Sequence, residues 1–144
     1  VKRKKTPLPI KTVIFQTVRF LGIVFGIFLL TASLLDILGL LPYSQKNPIL
    51  FLRIKNAILP LIYGLLFLMP YRKIKEKYQF YLLFGLFLLI FMWYLRFWLL
   101  GILAFIQSGE DILILMISIF MIFITLSNLV LMYASYKKNK PQRK

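Results

Sequence analysis

A chain of 144 residues, 60% of them hydrophobic and with mean hydropathy +0.82, carries more apolar surface than one soluble domain can hide. Its formal net charge of +15 sets 19 Lys and Arg against 4 Asp and Glu, with no Cys and no His. Those absences exclude a disulfide framework, thiol redox chemistry of the quinone-coupled thiol oxidase or vitamin K epoxide reductase kind, and bis-histidine haem anchoring, and they leave little to hold a transition metal.

Four long apolar stretches organise the chain, at about 20–41, 54–71, 78–106 and 112–136. Each is long enough for a helix of ~20 residues to cross a hydrocarbon core ~30 Å thick. In lipid the backbone must be paired internally, and these runs are too long and lack the alternation of barrel strands. The expected fold is therefore all-α, a single membrane domain over residues 1–144 built as a four-transmembrane-helix bundle.

The chain opens on a basic arm, Lys2, Arg3, Lys4, Lys5 and Lys11, broken by Thr6-Pro7-Leu8-Pro9. Thr12 to Arg19 continues the first helix inward as an interfacial turn, with Arg19 snorkelling to headgroups. The apolar region that follows exceeds the 7–15 residues of a signal-peptide core, and no small-residue cleavage site follows it. Within this span Gly22 and Gly26 form a GxxxG pattern that permits close helix approach, within the chain or in a homodimer seam.

A short Pro-punctuated loop, Pro42–Pro48, leads to the second span. Pro60 sits near the middle of that span and should kink it, and Pro70 ends it. The basic loop Arg72, Lys73, Lys75 and Lys77 comes next. Span three carries Phe91, Trp93, Tyr94, Phe97 and Trp98, read as an interfacial aromatic belt. Glu110 and Asp111 precede span four, where capping of the helix start competes with an external cation site. The chain closes on Lys137, Lys138, Lys140, Arg143 and Lys144.

Charge of this sign in a soluble protein would point to nucleic acid. Here the basic residues flank the spans, so anionic lipid headgroups are the expected partners of Lys2, Arg3, Lys4, Lys5, Arg72, Lys73, Lys137 and Lys138, and no nucleic acid is expected. Positive loops stay in the cytoplasm, which puts both termini and the middle loop inside. The residue usage hints at a bacterial source, and hence at its cytoplasmic membrane.

Polar residues within spans carry the functional question. Asp36 lies ~24 Å and Arg96 ~27 Å from the inner ends of their spans at ~1.5 Å per residue, with Arg53 at nearby height. Two readings stand: in one the charges form a structural ion pair or snorkel outward to water and headgroups, and in the other they line an outward-facing polar cavity for a headgroup, an ion or a small solute. Helical spacing places Arg19, Gly22, Gly26, Leu29, Ser33 and Asp36 on one side of span one. Tyr81, Gly85, Met92, Arg96, Leu103 and Gln107 do the same in span three. Asn56, Pro60, Tyr63, Gly64 and Phe67 lie on or beside one face of span two. Span four offers Asp111, Ser118, Thr125, Asn128, Met132 and Ser135. A bundle with small and polar residues inside is expected, packed through Gly22, Gly26, Ser33, Gly85, Ser118, Thr125 and Asn128.

In arrangement the chain resembles the small four-span bacterial membrane proteins of the DoxX-like kind. The resemblance is carried by Gly22 and Gly26 in span one, by Arg53 ahead of Gly64, and by Arg96 followed by Gly101 and Gly109. It implies a fold more than a function. No phosphate loop, nucleophile elbow or metal-binding spacing occurs, so no catalytic residues, no metal and no cofactor are expected. The first expectation is a non-enzymatic accessory or assembly subunit that packs against another membrane protein. A small oligomeric carrier or channel around Asp36, Arg53 and Arg96 is the alternative, and a lipid-binding membrane organiser the third.

Overall fold

The structure, a computed structural model, describes residues 10–42, 49–109 and 112–139. The basic arm Lys2–Lys5, Glu110, Asp111 and the tail after Asn139 lie outside the described residues. Four α-helices follow one another: α1 (Ile10–Ile37), α2 (Leu50–Leu68), α3 (Lys77–Ser108) and α4 (Ile112–Asn139), with a 3₁₀ turn at Tyr71–Lys73 between α2 and α3. All four are long and apolar enough to cross a membrane. Helix α1 starts ten residues before the expected span, so Lys11–Arg19 is continuous helix, and it stops at Ile37 rather than Leu41.

The helix ends follow from local chemistry. Gly39, at φ 75°, donates its N–H to the Asp36 carbonyl, and Leu40 donates to Leu35. That pair of bonds is a Schellman turn, which needs the left-handed conformation glycine adopts cheaply. Helix α2 stops ahead of Pro70, which disfavours helical backbone at Met69 (ψ 135°). Pro60 lies inside α2 without breaking it. Gly109, at φ 67°, closes α3 by donating to Phe105.

Two hairpins make the bundle. The α1–α2 contact is the most extensive and α3–α4 the next, while α1–α4 and α2–α3 close the ring more sparsely. Helices α1 and α3 thus sit on a diagonal. Gly26 faces Gly64 at the α1–α2 crossing, and a Cβ on either would lie 2.9 Å from the other's carbonyl oxygen. Gly22 faces α4 instead, where an added Cβ would run into the Asn128 amide. The GxxxG pattern is therefore consumed within the chain, one glycine per neighbour. Gly101 on α3 lies against Ser118 on α4 in the same manner. Gly85, expected among the packing residues, has nothing within 4 Å of an added Cβ.

The core sits toward the end of the bundle that holds the α2–α3 connection, which we term the basic end for its exposed Lys11, Arg72, Lys73, Lys137 and Lys138. Phe25, Tyr63, Phe67, Phe87, Met132 and Tyr136 are buried there. Rings hold it together: Phe67 meets Phe25 and Phe87 edge-on at 5.1 and 5.0 Å, and Phe80 stacks on Tyr136 at 4.0 Å. Toward the opposite, loop end, α3 buries nothing after Trp98 and α4 only Ser118 before Ile124.

The inner face of α3 differs from the expected one. Tyr81, Met92, Arg96, Leu103 and Gln107 are exposed, whereas Phe80, Phe87, Ile90, Phe91 and Trp98 are buried. The aromatic group of this helix divides accordingly. Trp93 and Phe97 face outward as belt residues would, while Tyr94 stacks between Tyr63 (5.6 Å) and Trp98 (5.8 Å). In lipid the two faces of an apolar helix differ little in transfer energy, so ring-on-ring packing decides which turns inward.

Candidate functional site

Two polar constellations lie within the bundle, one at each end. At the basic end the Arg19 guanidinium donates from Nη1 to the Phe67 carbonyl (2.7 Å) and from Nη2 to those of Leu68 (3.2 Å) and Met69 (2.5 Å). Those carbonyls close α2, and because the chain leaves the helix at Met69 and turns at Tyr71–Lys73, no backbone N–H further along the described residues returns to them. Arg19 caps them and brings a cation to the negative end of the helix. It is half-buried rather than snorkelling to headgroups.

The same guanidinium lies 4.0 Å over the Tyr71 ring. Tyr71 donates its hydroxyl to Asn128 Oδ1 (3.4 Å), and Asn128 Nδ2 donates to the Ile124 carbonyl (2.9 Å). Burial pushes the Tyr71 hydroxyl up to about 12, against an opposing pull from Arg19. One step deeper, the Tyr63 and Thr125 hydroxyls share a bond of 2.6 Å between α2 and α4. No fully enclosed side-chain oxygen or nitrogen among the described residues here lacks a partner, so this end is a clasp.

The loop end is built differently. Ser33 and Asp36, one turn apart on α1, are buried at 3% and 6% exposure. With Leu29 and Ala32 they face Asn56, Ala57 and Pro60 of α2 across a cavity of about 270 Å³. No hydrogen bond or ion pair joins the Asp36 carboxylate to another of the described residues. Fully enclosed side-chain oxygens and nitrogens all have partners among the described residues, so the Asp36 oxygens open onto the cavity.

The rest of the lining is rich in acceptors. Ser33 spends its hydroxyl hydrogen on the Leu29 carbonyl (2.7 Å), which leaves lone pairs. Pro60 cannot donate to the carbonyl four residues back, which belongs to Asn56, itself on the cavity wall. Asp36, Ser33 and Asn56 bring a carboxylate, a hydroxyl and an amide to one lining, and Pro60 frees the Asn56 carbonyl. Such a site accepts hydrogen bonds and favours positive charge.

Arg53, half-buried in the first turn of α2, lies against Gly39, where an added Cβ would collide with Nη1. Its charge sits beside the carbonyl-bearing end of α1, three residues ahead of Asn56 on α2. Arg96 does not join it. The diagonal arrangement and the outward face of α3 keep Arg96 exposed and apart from Asp36, so the expected ion pair does not form. Of the three charges singled out for a polar cavity, Asp36 lines it and Arg53 packs against Gly39, three residues beyond Asp36 in the chain. Asn56 and Pro60, neither of them charged, line the space where the third was expected.

No metal-holding group of acidic residues occurs among the described residues. Comparison with protein-family models, curated proteins and solved structures returns no match, so the site is read from its own chemistry.

Proposed function

We propose that this is a non-enzymatic protein of a bacterial cytoplasmic membrane, with both termini inside, that captures a positively charged group at its loop end, as a small carrier would. What supports the reading is the Asp36 carboxylate, buried at 6% exposure on a cavity and joined by no hydrogen bond or ion pair to another of the described residues. An isolated charge in that setting is costly, and an incoming cation offsets the cost. The two-hairpin build fits as well. A matched clasp at the basic end and a sparsely packed loop end let one end open while the other holds. The exposed basic residues Arg72, Lys73, Lys137 and Lys138 then sit against anionic headgroups of the inner leaflet.

An accessory subunit would meet the same need differently, taking the cation from a basic residue of a partner's helix. A hydrophobic carbodiimide separates the two. It should label Asp36 in the purified protein, and ethylammonium should shield it where tetramethylammonium at equal concentration does not. Unshielded labelling, or no labelling, overturns the reading. Shielding found only in native membranes and lost with a co-isolated protein would assign the accessory role instead.

A further inference from the structure

The cavity around Asp36 has a neighbour. An apolar groove of about 330 Å³ runs along α1 between Phe28, Thr31, Leu35 and Leu41, and shares Ala32 with the polar cavity. Polar and apolar spaces thus meet at one small residue, on the outside of the α1–α2 hairpin.

Size narrows the ligand. A space of about 270 Å³ is far more than a bare ion fills. A small organic cation suits it. The lining narrows it again, because three kinds of acceptor (the Asp36 carboxylate, the Ser33 hydroxyl and the Asn56 carbonyl that Pro60 leaves free) match the three N–H donors of a primary ammonium. A quaternary ammonium offers none.

Position supplies the remaining features. Asp36 is the penultimate residue of α1, and Arg53 lies in the first turn of α2. Both therefore stand where these helices reach the bilayer boundary, and they carry opposite charge. A ligand with an ammonium and a phosphate in tandem reaches both, since the five N–H donors of Arg53 can take a phosphate beside the contact that this residue already makes. The groove through Ala32 then takes an alkyl chain.

We infer that the loop-end cavity is a binding site for a phosphatidylethanolamine-type lipid. The ammonium sits on Asp36, Ser33 and the Asn56 carbonyl, the phosphate lies toward Arg53, and one acyl chain occupies the Phe28–Leu41 groove. The inference rests on the cation-capture reading and names its ligand.

Native mass spectrometry of the intact chain tests it, with equimolar phosphatidylethanolamine, phosphatidylcholine and phosphatidylglycerol of identical acyl chains. Loss of a charge-assisted hydrogen bond predicts about ten-fold preference for the ethanolamine lipid over the choline lipid. Asp36→Asn should bring the two toward parity. Pro60→Ala is the second variant. It restores a helix bond and keeps every charge, so the chain folds at least as well, yet it withdraws the Asn56 carbonyl and should narrow the preference. Equal retention of the ethanolamine and choline lipids by the unaltered protein overturns the inference. So does a preference that survives Asp36→Asn, or dominance of phosphatidylglycerol, which would place lipid at the basic end. Shielding of Asp36 by ethylammonium without any lipid preference would sink the lipid assignment and leave cation capture standing. Failure of both would remove both.

Discussion

Gly26 and Gly64 meet at the α1–α2 crossing so closely that a Cβ on either would come within 2.9 Å of the other's carbonyl oxygen. Backbone cannot yield as a flexible side chain can. Gly26→Ala and Gly64→Ala should each cost ~1–3 kcal/mol, the usual range for overpacking. Because both wedge apart the same crossing, the double variant should lose less than the sum. Thermal unfolding in mild detergent measures this, and unchanged midpoints would show that the helices are not in such contact.

Arg19 caps α2 from another helix. Removing a charged donor from carbonyls that have no other partner costs ~1.5–3 kcal/mol for a hydrogen bond of this class. Arg19→Gln should fall in that range, and Arg19→Lys should recover only part, since an ammonium lacks the planar fork that spans three acceptors. Hydrogen exchange at Leu66–Met69 should rise in both variants. Exchange rising elsewhere but not there would contradict the capping role.

The Tyr63–Thr125 bond ties α2 to α4. Interhelical hydrogen bonds in membranes average ~0.6 kcal/mol and reach ~1.7 in double-mutant cycles. A cycle of Tyr63→Phe and Thr125→Val should return coupling within that range, because the pair is fully enclosed. A coupling of zero would leave ring packing as the sole role of Tyr63.

Tyr71 makes stability depend on alkaline pH. Its hydroxyl is held up to about 12 by burial, above the ordinary 10.0, so between these values the folded chain keeps a proton that the unfolded chain has lost. The contribution is fully present below about pH 10 and disappears as pH rises through 12. Stability should fall across that window, and Tyr71→Phe should flatten the fall. An equally steep fall in Tyr71→Phe would place the titration elsewhere.

Orientation can be read with single cysteines, since the chain has none of its own. Lys73→Cys and Lys138→Cys should react with an impermeant thiol reagent from the same side of the membrane, and Pro42→Cys from the other. Labelling of the first two from opposite sides would break the up-and-down topology.

Much of the bundle could be read from residue type. Small and polar side chains on α1 (Gly22, Gly26, Ser33, Asp36) and on α4 (Ser118, Thr125, Asn128) mark buried faces, because few other residues let helices approach so closely in lipid. The same rule misreads α3. Its polar stripe with Arg96 faces out, since its inward face is built from rings that are as apolar as the lipid-facing ones and leave no contrast in the pattern. Arg19 was out of reach for another reason. Its acceptors lie 48 to 50 residues away, and no local spacing announces them. At the cavity, Asp36 and Arg53 stood out as charges. Pro60 frees the Asn56 carbonyl whatever the fold, but only the α1–α2 packing shows that Asn56 lines a cavity with Asp36.

One asymmetry of the bundle reaches beyond its own contacts. Helix α2 has 19 residues and α3 has 32, about 28 Å and 48 Å at ~1.5 Å per residue. The first barely matches a hydrocarbon slab of ~30 Å, and the second overshoots it unless it leans steeply. The two helices that share the α2–α3 connection therefore cannot both stand upright within one slab, and a tilt or a projecting end of α3 takes up the difference.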